Sequence, residues 1–119
     1  MNYETATDFE LNRRLLELSC DDDVEIINIR KHNLSGKLTC FSHAVFTAKH
    51  DSVTFEEKVN FCTDWNATMP LAVEHKVSII PSIKEDYYRA IPVIGGAVHS
   101  KKPLRAIAIC LIKVLESKQ

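Results

Sequence analysis

No two cysteines lie close together in this chain: Cys20, Cys40, Cys62 and Cys110 are separated by about 20 to 50 residues. That spacing excludes the dense disulfide framework of a small secreted domain and the paired ligands of a structural zinc site, so four reduced thiols and no metal are expected. Nor is there a run of the roughly 18 apolar residues that a membrane span requires. The opening MNYETATDFE lacks a basic region followed by an apolar stretch, which predicts no membrane partner and a cytoplasmic protein. Charge of either sign is not in excess, with 15 Lys and Arg against 16 Asp and Glu. A net charge of -1 therefore argues against nucleic acid as the partner. Repeats, low-complexity tracts and cofactor motifs are also missing, and no cofactor is expected.

What remains is the composition of one ordinary domain, 119 residues with 45% hydrophobic side chains, read as a single unit over 1–119. Thr7-Asp8-Phe9-Glu10 fits a capping box, and Leu11, Leu15 and Leu18 follow at helical spacing, predicting a helix over 8–19. Asp21, Asp22 and Asp23 read as a solvated acidic turn. Two strands are expected over 24–30 and 37–49, joined through HNLSG with Asn33 and Gly36, and a third over 53–59. The approach of Cys40 to His43 is not a metal pair, because residues three apart on a strand point to opposite faces.

Residues 60–81, NFCTDWNATMPLAVEHKVSIIP, crowd a Cys, an Asp and a Trp just ahead of a short helix. Asp64 or Thr68 is expected to cap that helix, with Pro70 in its first turn and Leu71, Val73 and His75 inside. A strand over 77–80, a KED turn and a strand over 87–94 come next. Gly95-Gly96 then leads through AVHSKK to a last helix opened by Pro103. Leu104, Ile107, Ala108, Leu111 and Leu115 form its stripe, and Ala106, Ile109, Cys110, Ile112 and Val114 widen it around most of the circumference, which suggests a helix covered on several sides or a homodimer interface. The expected fold is α+β, a mainly antiparallel sheet packed against two to three helices in the order α-β-β-(β)-α-β-β-α.

Phe61-Cys62-Thr63-Asp64-Trp65, Pro70-Leu71, Glu74, Val77-Ser78-Ile79-Ile80, Tyr88-Arg89-Ala90 and Pro103-Leu104-Arg105-Ala106-Ile107-Ala108, in this order and spacing, resemble the small phage and prophage family typified by NinX. The resemblance covers 8–117 and starts with Asp8-Phe9-Glu10-Leu11-Asn12. It implies a tailed-phage or prophage setting in a bacterial host, among the short accessory genes of the lambdoid nin region, and it implies no activity. Two positions depart from the family's pattern: Lys102 stands where Asn is expected before Pro103, and Tyr88 where Trp is usual.

The candidate ligand-binding residues are Cys62, Asp64, Trp65, Tyr88, Lys102 and Arg105. Their structural reading has Trp65 plugging the core, Cys62 filling space and Asp64 capping the helix. A cysteine nucleophile would need a base, and the sequence does not place His75 or His99 beside Cys62. At the start of the last helix Lys101, Lys102 and Arg105 oppose the helix dipole, which calls for an anion there. An internal carboxylate from Asp64 or Asp86 or an external phosphate or carboxylate would answer it. Three functions stay open: foremost a noncatalytic accessory protein binding a host or phage macromolecule, with a host or phage protein as the expected partner; then a small enzyme or binder acting on a nucleotide or other phosphorylated metabolite, a small anionic ligand; and last a nucleic-acid-binding module.

Overall fold

The first helix, α1 (Asp8–Ser19), starts where its capping box predicts. Thr7 Oγ1 accepts from the Glu10 N–H and the Glu10 carboxylate accepts from the Thr7 N–H, each at 3.2 Å, so two N-terminal donors are satisfied reciprocally. The computed structural model describes residues 2–20, 23–31, 44–82 and 86–118. Asp21 and Asp22, the HNLSG turn, the first half of the 37–49 strand with Cys40 and His43, and Lys84 and Glu85 of the KED turn lie outside the described residues.

Strands β1 (Val24–Lys31), β2 (Ala44–His50) and β3 (Val53–Val59) form an antiparallel sheet in the order β1-β2-β3. Between β2 and β3 the two-residue turn holds Asp51 and Ser52 at φ 48° and 66°, the doubly left-handed conformation that matches strand twist. A register shift between Ile26 and Asn28 leaves Ile27 as a bulge, so Ile26 and Ile29 reach the same face despite their odd spacing. That face, with Phe46 and Val59, packs on the core to which Leu11 and Leu15 of α1 belong.

After α2 (Trp65–Glu74), strands β4 (Ser78–Pro81), β5 (Tyr88–Ile91) and β6 (Val98–Ser100) build a second antiparallel sheet in sequence order. The fold is therefore α+β, with two three-stranded sheets where a single sheet was expected. Strand β6 falls in the segment read as a connection, and β5 stops short of Pro92, which has no N–H to continue the ladder. Ile79, Ala90 and Val98 lie side by side across this sheet and meet α3 (Pro103–Ser117). Leu104 and Ala106 through Ile112 are all buried. The wide apolar girth of α3 is covered within one copy by α1, α2 and the second sheet, which removes the feature that suggested a homodimer.

Candidate functional site

The turn that opens α2 is held by buried polar groups. Asn12 on α1 donates from Nδ2 to Asn60 Oδ1 at 3.0 Å and accepts the Phe61 N–H on Oδ1 at 2.7 Å. Asn60 Oδ1 also accepts the Cys62 N–H at 3.1 Å, and Thr68 Oγ1 donates to the Phe61 carbonyl at 2.6 Å. Asn12, Asn60 and Thr68 are almost wholly buried, where an unmade hydrogen bond is costly, so this network determines the path of the chain through Phe61 and Cys62. Thr68 therefore does not cap α2. Asp64 does, accepting the Asn66 N–H at 2.9 Å. Pro70 lies in the second turn of the helix instead of the first, and His75 closes it as the C-cap.

One turn before Asn12 on the same face of α1, Asp8 answers the cations at the start of α3. Its Oδ1 accepts from Arg105 Nη1 at 2.6 Å, while Arg105 Nη2 donates to the Ala6 carbonyl. The internal carboxylate is thus Asp8, not Asp64 or Asp86. The charge of the same Asp8 carboxylate reaches the Cys62 thiol. Only 4% of Cys62 is exposed, and burial, with the Asp8 charge adding to it, pushes the thiol up to about 12 despite the opposing field of Arg105 and Lys102. A thiol so placed is protonated at neutral pH and is a poor nucleophile.

The structure therefore brings Cys62, Arg105 and the field of Lys102 together around Asp8, and leaves the other three candidates outside that cluster. The Asp64 carboxylate is used at its cap. Trp65, expected to plug the core, is 48% exposed, because it is the first residue of α2 while Phe61 and Cys62 take the inward positions. Tyr88 stands opposite Pro81 and Ser100 in the second sheet. Lys102 has no side-chain capping bond to give α3, and its own N–H donates to Ser100 Oγ at 3.2 Å. His75 Nδ1 accepts from Lys118 Nζ at 3.2 Å and His99 lies against the Tyr87 ring, so the contacts of both histidines lie away from Cys62.

A different site opens at the other end of α3. Val93, Ile94 and Gly95 on the β5–β6 loop, the end of α2 around His75 and Lys76, and Val114 and Lys118 of the last turns enclose a cavity of about 550 Å³. Its walls have specific local causes. Gly95 takes φ 115°, a conformation that side chains disfavour, and so lets the loop turn with Val93 and Ile94 outward. Lys76 takes φ 57° so that the Val77 N–H can return to the Ala72 carbonyl at 2.8 Å and the Lys76 N–H to Val73 at 3.3 Å, a Schellman ending. Val93 and Ile94 are 70% and 89% exposed. Sequence reasoning took Gly95-Gly96 only as the lead into the last helix and did not single out the two apolar residues before it, although Val-Ile-Gly-Gly after Pro92 is a signal for an apolar loop tip.

Comparison with known protein families, with curated proteins and with solved structures finds no match to this chain. Among the described residues no helix is long and apolar enough to cross a membrane.

Proposed function

We propose that this chain is a noncatalytic phage or prophage accessory protein that acts in the bacterial cytoplasm by binding a host or phage protein through the open end of α3. The observation that carries this reading is the pair Val93 and Ile94, exposed on a loop beside a cavity of about 550 Å³. Contiguous apolar surface around a concavity is the usual mark of a recognition site. The sequence resemblance supplies the phage setting. A small anionic ligand at the start of α3 would have to compete with Asp8 for Arg105, which makes that reading the weaker one.

The test is affinity capture from host cells with and without the phage, using the wild-type chain and a Val93→Asp, Ile94→Asp variant, with bound proteins identified by mass spectrometry. A specific protein retained by the wild type and lost by the variant is expected. Capture that is identical for both chains, or no retained protein, contradicts the reading.

A further inference from the structure

We infer that the cavity at the end of α3 receives an acidic amphipathic segment of its partner, an inference that rests on the protein-binding reading above. Val93, Ile94 and Val114 supply apolar contact, while Lys76 and Lys118 stand at the edge of the same cavity. Lys113 borders an adjoining space of about 160 Å³ that shares Ile94, Gly95 and Val114 with it. Against these three ammonium groups stand the Glu74 carboxylate and the partial negative charge that α2 and α3 present at their C-termini. The cations prevail. A helix that lays one apolar face in a groove reads as anchors at i, i+3 and i+4, and carboxylates beside those anchors would meet the lysines.

A second copy of the chain is a worse occupant. Two-fold symmetry would bring each copy's lysines towards its partner's lysines, and like charges across an interface oppose association. Lys118 is already oriented, since its ammonium donates to His75 Nδ1 at 3.2 Å. A carboxylate arriving there meets a cation held in place and not one on a free stem.

Selection of a random peptide library of about 12 residues, roughly 18 Å as a helix, on the immobilised full chain tests the inference, with peptides that also bind Ile94→Asp removed. Ile94 is so exposed that this change should leave the fold intact. Recovered peptides should place Asp or Glu beside apolar residues at helical spacing. A synthetic representative should bind the wild type about tenfold more tightly than Lys113→Glu, and about tenfold more tightly than its own Glu→Lys version does, equivalent to about 1.4 kcal/mol in each comparison. Neutral or basic peptides, no recovered peptide, or a dimer in sedimentation that Ile94→Asp dissociates would overturn it. If capture of a cellular partner still depends on Val93 and Ile94 while the selected peptides are not acidic, the inference fails and the protein-binding reading stands.

Discussion

The two ends of α3 are built on opposite plans. At its N-terminus polar groups are satisfied within the chain: Arg105 meets Asp8 and the Ala6 carbonyl, Cys62 lies buried in the field of Asp8, and Asn12 holds the chain one turn further along α1. At its C-terminal end the apolar side chains of Val93 and Ile94 turn outward beside a cavity. The residues that look most chemical in the sequence are thus occupied in holding the fold together, and the plainest aliphatic ones are left exposed. Side-chain chemistry alone does not mark a site. What marks it is whether the groups have been satisfied within the chain.

The largest effect that would break this contrast belongs to Asn12. Replacing it with Ala leaves the buried Phe61 N–H without its acceptor and removes one of the two donors that Asn60 Oδ1 accepts, and should cost about 2–4 kcal/mol. Chemical denaturation reads this directly, and a loss below about 0.5 kcal/mol would mean that the turn at 60–62 is held by something else.

Arg105 comes next. Its pair with Asp8 has side-chain exposures of 16% and 22%, so solvent screens it little but not negligibly, and Arg105→Ala should cost about 1–3 kcal/mol. In a double-mutant cycle with Asp8→Ala the two losses should fall short of adding. Strict additivity would show that Asp8 is not the anion for α3, and would reopen the place to an external phosphate.

Cys62 sharpens the comparison through pH. Its thiol rises from an ordinary value of 9.0 to about 12 in the folded chain, so between those values the native state holds a proton that the unfolded state has lost. The contribution is complete below pH 9 and diminishes as pH rises towards 12. The wild type should therefore lose on the order of 2 kcal/mol more stability than Cys62→Ala on going from pH 8 to pH 11. Equal pH dependence would show that Cys62 is not sheltered. Rapid alkylation of native Cys62 at pH 7 would carry the same message.

Local elements were readable in advance because their causes are local. The capping box at Thr7 and Glu10, the apolar stripes of α1 and α3, the Asp64 cap and the strand at Val53–Val59 all lie within a few residues of the signal that predicts them. Strand β6 escaped because only Val98 of its three residues faces the core, too short a pattern for a period of two to declare itself. The Asp8–Arg105 pair spans 97 positions, and no periodicity encodes such a distance. Asp8 and Asn12 both fall in the stretch with which the family resemblance begins, yet as residues they read only as a first-turn acid and a polar helix position. Trp65 was misplaced for a geometric reason. The inward positions at the entry to α2 go to Phe61 and Cys62, leaving the indole beside its cap on the outside.

The central claim, that this chain engages its partner at the open end of α3 and not at the closed one, is tested most directly by a photo-cross-linking residue placed at 94 in one chain and at 65 in another, both expressed in the same infected host. A covalent adduct with a different protein is expected from position 94, and little or none from position 65. An adduct from position 65 with position 94 silent would contradict it.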